Sequence, residues 1–225
     1  MKRVLMLQGW GFPAAVFSVF DGLLPTDVDL DYPERRMGKQ RPRLPRLESP
    51  TLVVGWSLGS QDALRLAAEQ PRMVSGLVLF AGTPCFISKP GWMAGMQRNV
   101  FDSFRQQVEQ DSDGAMRQFV RLNTGARSDR MTRSFLETLS HSNDRESLLS
   151  GLGELEQNDL RGVAAELSVP VLLLHAADDR VVPVEAGRWL ADNISNARLV
   201  EYSTGGHAFF IAHAQDVSAR IGELL

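Results

Sequence analysis

Short apolar segments that alternate with helical patterns constrain the fold of this chain more than any other feature. Six segments rich in Val and Leu are each bounded by turn residues. They are Arg3–Gln8, Asp27–Tyr32, Thr51–Gly55, Gly76–Ala81, Pro170–His175 and Ala197–Tyr202. Apolar strands that are separated by helices form parallel sheets covered on both faces. The pattern therefore predicts an α/β fold with a mainly parallel sheet of about six strands flanked by helices.

The alternation is interrupted once, between Thr83 and Leu167. Amphipathic helical stretches occur there, and no strand-like segment does. A chain of 225 residues suffices for one or two domains, and one is the commoner outcome. We expect a single domain over residues 1–225, in which a helical insertion separates the fourth and fifth strands.

Composition and charge exclude several classes of protein. The net charge of -3 offers nothing that would hold a polyanion, so the chain is not expected to bind nucleic acid. A single cysteine, Cys85, cannot form an intramolecular disulfide, which indicates the cytoplasm. The sequence contains no run of about 18 consecutive apolar residues, which is the length that a membrane-spanning helix needs. The apolar start of the chain ends at Gln8 without a signal-peptide cleavage site, so it is assigned to the first strand.

The most informative motif is Gly55–Gly59, a G-x-S-x-G pattern between a predicted strand and a predicted helix. A serine at such a turn, here Ser57, presents its hydroxyl as a nucleophile. Glycines are required on both sides because a Cβ would collide across the turn. An oxyanion hole needs two backbone N–H groups, one from Leu58 and one from the loop after the first strand, for which we favour Trp10.

A serine nucleophile needs a base, and the base needs an orienting acid. His207 follows the last predicted strand, at the edge of the sheet where the serine turn also lies, and the other three histidines are assigned to packing or solvent. Asp179 follows the fifth strand and is favoured over its neighbour Asp178 because of its spacing to Pro183. The chain order Ser57, Asp179, His207 is the order expected of an α/β-hydrolase.

A dinucleotide site is the alternative for the loop after the first strand. Gly9, Gly11 and Ala14 match the G-x-G-x-x-G/A fingerprint, and Asp29 or Asp31 lies near the position of a ribose-binding acid. Bulky residues and a proline inside this loop argue against it, because a pyrophosphate must approach the backbone closely. No helix carries histidines or His/Glu pairs at metal-ligand spacing, so neither a metal nor a cofactor is expected.

Two segments are basic although the chain is acidic on average. Glu34–Arg46 holds six basic residues and one acid and is interrupted by prolines, which indicates a loop. Gly114–Phe135 carries five arginines on predicted helices. Arg117 and Arg121 lie four residues apart beside the apolar Phe119, so they share one helical face and could form a docking ridge for an acidic partner. A solvated helix face is the alternative.

On the basis of these motifs, the chain resembles the α/β-hydrolase superfamily over essentially its full length. Within it, the chain resembles the family of the pimeloyl-[acyl-carrier protein] methyl ester esterases. The segments that carry the resemblance are Gly9–Gly11, Gly55–Gly59, Thr83–Phe86 leading to Trp92 and Phe104–Gln107, Phe119–Leu122, and His207–Phe210. The first two occur in many hydrolases, and the Pro-Cys-Phe segment that leads into the insertion is more specific.

The resemblance implies a helical cap at about 84–162 that covers the site. It implies a catalytic triad of Ser57, Asp179 and His207, with Trp10 and Leu58 as oxyanion donors. The residues implied to contact the substrate are Trp10, Phe119 and Asn123. Those implied to dock an acyl carrier protein are Arg117, Arg121, Arg130 and Arg133. The chain departs from the family pattern at Gln8, where histidine is usual, in a shortened stretch before the nucleophile strand, and in starting at the first parallel strand without a hairpin.

The expected function is a cytoplasmic serine carboxylesterase that hydrolyses the methyl ester of pimeloyl-acyl carrier protein in biotin synthesis. Its expected partner is the acyl carrier protein, with no nucleic acid and no membrane, and we expect a monomer. A generic short-chain carboxylesterase or a C–C bond hydrolase of the same fold would use the same triad. A catalytically silent binding protein of this fold is the third alternative.

Overall fold

A six-stranded sheet in which all neighbouring strands are parallel forms the centre of the molecule. This computed structural model describes residues 2–35, 43–125, 130–140 and 144–225. The strands are β1 (Lys2–Leu7), β2 (Val28–Asp31), β3 (Thr51–Trp56), β4 (Val74–Phe80), β5 (Val171–Ala176) and β6 (Ala197–Tyr202). Their spatial order is β2-β1-β3-β4-β5-β6. The predicted fold class is confirmed, because each predicted strand is found.

Parallel strands need crossover connections, and helices lie in those between the strands except between β2 and β3, where the described residues form no helix. A 3-10 helix, Ala14–Phe20, lies between β1 and β2. The α-helices in the described ranges are α1 (Leu58–Glu69), α2 (Arg98–Gln110), α3 (Ser112–Asn123), α4 (Arg130–Leu139), α5 (Arg145–Gln157), α6 (Arg161–Glu166), α7 (Val184–Asn193), α8 (Phe209–Ala212) and α9 (Ala214–Gly222). Among the residues that the structure describes, no helix combines the length and the apolar character needed to cross a membrane.

Each face of the sheet carries its own apolar core, because side chains alternate between the two faces along a strand. Val53 and Leu77 belong to the core that α1, α6 and α7 cover. Val54 and Val78, one residue along, belong to the core that the 3-10 helix and α9 cover. The sheet is therefore buried on both sides, and the edge at which its strands end is left to carry the functional loops.

The chain leaves the sheet between β4 and β5, and α2 to α5 lie in the range 84–162, which is called the cap below. The loop after β1 meets three cap helices through Trp10. The ring centroid of Trp10 is 5.6 Å from that of Phe104 in α2 and 4.8 Å from that of Phe119 in α3. Its indole N–H donates to the carbonyl of Leu148 in α5 at 2.8 Å. Trp10 therefore joins the cap to the edge of the sheet.

Candidate active site

The carboxyl ends of parallel strands meet at one edge of a sheet, and the predicted site residues follow those ends. Trp10 follows β1, Ser57 follows β3, Asp179 follows β5 and His207 follows β6. Trp10, Ser57 and His207 are buried, and so is the side chain of Asp179. The parallel topology therefore brings together residues that lie far apart in the sequence.

Ser57 occupies a strained turn between β3 and α1. Its φ of 55° lies in the left-handed region, which residues other than glycine rarely adopt. The turn is held by backbone hydrogen bonds, from the N–H of Ser57 to the carbonyl of Phe80 at 3.0 Å and from the N–H of Ser60 to the carbonyl of Ser57 at 2.9 Å. Strain of this kind persists where the surroundings over-determine the conformation, which is common at functional sites.

The two glycines of the motif are required by space. A Cβ on Gly55 would overlap the carbonyl of Gly59, and a Cβ on Gly59 would overlap the carbonyl of Leu7. Both neighbours are backbone atoms that cannot move aside. This close approach places the first residue of α1, Leu58, beside the loop that contains Trp10. Neither the N–H of Leu58 nor that of Trp10 has a hydrogen-bond acceptor among the described residues, so both can serve an oxyanion.

Asp179 binds His207 through a short hydrogen bond between two fully buried side chains. Nδ1 of His207 donates to Oδ2 of Asp179 at 2.7 Å. The other carboxylate oxygen, Oδ1, accepts the backbone N–H groups of Val181 at 2.8 Å and Val182 at 3.0 Å. Burial alone would raise the pKa of Asp179. The charge of His207 and the hydrogen bonds from the imidazoles outweigh burial, so its pKa lies well below the ordinary value and the acid is ionised.

Asp178, the alternative to Asp179 as the orienting acid, has another partner. Its Oδ1 accepts the backbone N–H of Gly206 at 2.8 Å. Of the two adjacent carboxylates, the one that bonds the imidazole of His207 is therefore that of Asp179. Asp178 holds the loop on which that imidazole is carried.

Two further contacts hold the backbone of His207 and its neighbour. The indole N–H of Trp56, the last residue of β3, donates to the carbonyl of His207 at 2.9 Å. The N–H of Ala208 donates to the carbonyl of Asn123 at the end of α3, at 3.0 Å. Nε2 of His207 is buried and has no partner among the described residues, Ser57 included. Catalytic hydrogen bonds are commonly long before substrate binds and shorten in the complex.

His175, for which packing was predicted, also contacts the acid Asp179. This imidazole is buried at the end of β5, with Nε2 at 3.0 Å from the carbonyl oxygen of Val182 and 3.3 Å from Oδ2 of Asp179. Because a carbonyl oxygen only accepts, Nε2 carries a proton, which lies between the two oxygens. The signal in the sequence is the i, i+4 spacing of a histidine in a strand and an acid in the next loop.

A cavity of about 320 Å³ leads from Ser57 to the surface between α2 and α3. Its inner wall is apolar and includes Trp10 and Phe119, two of the three predicted substrate contacts. The third, Asn123, is fully buried and is not among the lining residues. Its Nδ2 instead donates to the carbonyl of Phe119 at 2.7 Å, in the last turn of α3. The cavity is therefore a largely apolar channel between the buried Ser57 and exposed residues of α2 and α3.

The arginines predicted to dock a partner lie at different depths. Arg117 and Arg121 are exposed on α3, each next to a residue that lines the channel mouth. Arg130 is exposed on α4, and Arg133 is half-buried there with its Nε shielded from solvent. Arg127 lies outside the described residues. Of these arginines, Arg117 and Arg121 are therefore the two that lie next to residues of the channel mouth.

The basic segment Glu34–Arg46 is described only in part, since residues 36–42 lie outside the described ranges. Arg35 is not part of a solvated loop. Its guanidinium is buried and bonds Asp62 of α1 at 2.8 Å and Glu154 of α5 at 2.7 Å. Gln8, at which the family resemblance predicts a histidine, is also buried.

Comparison with known proteins identifies the family of the chain. The chain matches the family model of the alpha/beta hydrolase fold over residues 46–214. It is 32% identical to a pimeloyl-[acyl-carrier protein] methyl ester esterase of Chromobacterium violaceum, over 99% of this chain and 93% of that protein. A protein of the same name from Xanthomonas axonopodis pv. citri is 37% identical, over 75% of this chain and 68% of the length of that protein.

Among solved structures, an esterase from Exiguobacterium antarcticum superposes with a TM-score of 0.88 at 20% identity, covering 99% of this chain and 91% of that one. A likeness at so low an identity concerns the fold alone.

Proposed function

Because the chain belongs to the α/β-hydrolase family and, within it, to the family of the pimeloyl-[acyl-carrier protein] methyl ester esterases, we propose that it is a serine carboxylesterase. Its substrate is the methyl ester of a pimeloyl chain held by acyl carrier protein, an intermediate of biotin synthesis in the cytoplasm. The observation that carries the proposal is the position of Ser57. It lies at the inner end of an apolar channel, beside two free N–H groups and the hydrogen-bonded Asp179 and His207 pair.

In the first half of the reaction, Oγ of Ser57 attacks the ester carbonyl carbon while Nε2 of His207 takes its proton. The N–H groups of Trp10 and Leu58 donate to the oxygen on which negative charge develops. Asp179 stabilises the imidazolium and keeps Nδ1 protonated. The bond between the acyl carbon and the methoxy oxygen then breaks, and the proton on Nε2 passes to that oxygen, so methanol leaves.

In the second half, water takes the place of methanol. Nε2 of His207 accepts a proton from the water as its oxygen attacks the acyl carbon of the ester to Ser57. The same two N–H groups stabilise the second tetrahedral intermediate. Collapse breaks the bond to Oγ, the proton returns to Oγ, and the free ω-carboxylate of the pimeloyl chain is released.

The surface at the channel mouth carries arginines, which favours an acidic protein as the binding partner. Arg117 and Arg121 are exposed beside the opening through which the acyl chain would enter. Arg121 has no ion pair within the described part of the chain, and Arg117 lies at 4.0 Å from Asp111. Methanol is too small to supply much discrimination, so binding energy would come from the acyl chain and the carrier.

The test of this function is hydrolysis of methyl pimeloyl-acyl carrier protein by the purified protein. Ser57→Ala should lower kcat by about 10⁶, because the nucleophile is removed. Ser134→Ala, at an exposed position of α4, serves as the matched control and should keep full activity. Failure of the wild type to rescue a biotin auxotroph that lacks its own esterase, with turnover of simple esters retained, would favour a generic esterase. Absence of fluorophosphonate labelling at Ser57 would favour a silent binding protein.

A further inference from the structure

The outer part of the channel carries polar side chains that the proposed reaction does not use. Asn99, Ser103 and Gln107 lie four residues apart on α2, so they project from one face of that helix. Gln118 lies on the neighbouring helix α3. All four line the channel, and Asn99 and Gln118 are exposed, which places them at the mouth.

No charged residue is found among the described residues that line the channel. The charged side chains of α2 lie outside the lining and are engaged in ion pairs. Arg98 bonds Asp102 at 3.0 Å, and Arg105 bonds Glu156 of α5 at 2.7 Å. One helix therefore presents an uncharged polar face to the channel and charged side chains elsewhere. A ligand with a formal charge at this depth would find no counter-charge, so the lining favours a neutral one.

The polar groups at the mouth are free to bind a ligand. Within the described part of the chain, the carboxamides of Asn99, Gln107 and Gln118 have no hydrogen-bond partner. Only Ser103 is engaged, through a bond from its hydroxyl to the carbonyl of Asn99 at 2.8 Å. Each carboxamide offers two donors and one acceptor, which is the complement of a secondary amide. Val100 and Leu122, which also line the mouth, offer apolar contact between these groups.

From this arrangement, and resting on the proposed function, we infer that the four residues Asn99, Ser103, Gln107 and Gln118 form a mouth subsite. The subsite binds a neutral, amide-bearing linker, the pantetheine arm by which a carrier protein holds its acyl chain. The order along the channel matches the order along such a substrate. The ester reaches Ser57, the acyl chain lies along the apolar wall, the amides of the arm meet the carboxamides, and the acidic carrier lies beyond.

Two methyl esters with the same acyl chain test the subsite. One is dimethyl pimelate, which has no amide, and the other is the pantetheine thioester of monomethyl pimelate. The quantity measured is the ratio of kcat/KM for the thioester to kcat/KM for the diester. Replacement of the three carboxamides (Asn99→Ala, Gln107→Ala, Gln118→Ala) should lower that ratio at least about tenfold, because two or more hydrogen bonds specific to the arm are lost.

The matched control replaces two glutamines on the same helix that do not line the channel, Gln106→Ala and Gln110→Ala, and should keep the wild-type ratio. The single variant Gln118→Ala should show part of the loss and guards against misfolding of the triple variant. Binding of the thioester to Ser57→Ala, measured by calorimetry, should weaken by a similar factor when the triple change is added.

A triple variant with the wild-type ratio and the wild-type affinity would overturn the mouth subsite and leave the esterase proposal intact. A wild type that hydrolyses neither ester would overturn the proposed function, and the subsite with it.

Discussion

Four donors surround the carboxylate of Asp179, two on each oxygen. The backbone N–H groups of Val181 and Val182 bind Oδ1, and the imidazoles of His207 and His175 lie at 2.7 Å and 3.3 Å from Oδ2. A carboxylate held on both oxygens has one orientation, so the imidazole that it holds has one as well. The orientation of the His207 imidazole therefore depends on the direction of single N–H bonds to Asp179.

Replacing one of those donors should therefore lower turnover. We expect His175→Phe to reduce kcat by about three- to tenfold, because a net hydrogen bond is worth about 0.5–1.5 kcal/mol and tenfold corresponds to about 1.4 kcal/mol. KM should not change, since His175 does not line the channel. Steady-state kinetics with dimethyl pimelate provide the measurement.

His213→Phe is the control for that change. Its Nε2 lies 3.2 Å from the carbonyl oxygen of Thr204 and makes no contact with Asp179, so kcat should stay near the wild-type value. Equal kcat in both variants would show that the second imidazole has no part in orienting the acid.

Among the elements, α1 begins where two backbones touch. The start of this helix approaches the end of β1 so closely that Gly59 has no room for a side chain. In α5, by contrast, a Cβ on Gly153 would meet nothing within 4 Å. Glycine is therefore required at position 59, where a tertiary contact leaves no room for a side chain. At position 153 it lowers the stability of the helix, because only its low helix propensity matters there.

The corresponding substitutions should move stability in opposite directions. Gly59→Ala should cost about 3 kcal/mol or more of unfolding free energy, since backbone must shift. Gly153→Ala should raise the unfolding free energy by about 0.5–1 kcal/mol, because alanine loses less entropy than glycine in a helix interior. Urea denaturation of the two variants measures both effects. A stable Gly59→Ala protein would contradict the close approach.

At the scale of the whole molecule, one buried ion cluster connects the sheet, α1 and the cap. Arg35 follows β2 and bonds Asp62 in α1 and Glu154 in α5, with side-chain exposures of 9%, 5% and 10% respectively. Such a cluster is costly to leave incomplete, since a buried charge without a partner is poorly solvated. The guanidinium of Arg35 is therefore one of the contacts that attach the cap helix α5 to the rest of the molecule, together with the hydrogen bond from Trp10 to Leu148.

Arg35→Met should destabilise the protein by about 3–5 kcal/mol, because it leaves the buried carboxylate of Glu154 uncompensated and leaves Asp62 with Arg65 as its ion-pair partner. Adding Asp62→Asn and Glu154→Gln should restore part of the loss. The exposed pair of Arg188 and Glu201 is the control, and Arg188→Met should cost less than about 1 kcal/mol. Unfolding free energies at pH 7 give the comparison, and equal costs for the two arginines would refute the role of the cluster.

Local pattern alone determined the fold class and the strands of this protein. Apolar segments bounded by turns predict strands, helices between them predict parallel pairing, and parallel pairing predicts that the loops carrying Ser57, Asp179 and His207 share one edge. The motif Gly55–Gly59 predicted a sharp turn, which the structure contains at that position. These features could be read because each depends on residues close together in the sequence, or on a topology that such residues impose.

Contacts between distant segments decided the rest. How the loops after β5 and β6 meet decides which of Asp178 and Asp179 bonds His207. How the cap lies on the sheet decides that Arg35 is buried and that Asn123 does not line the channel. A charged or polar side chain carries no local signal of whether it will meet solvent or a buried partner. Desolvation and pairing are properties of the assembled core, so only the tertiary structure could decide them.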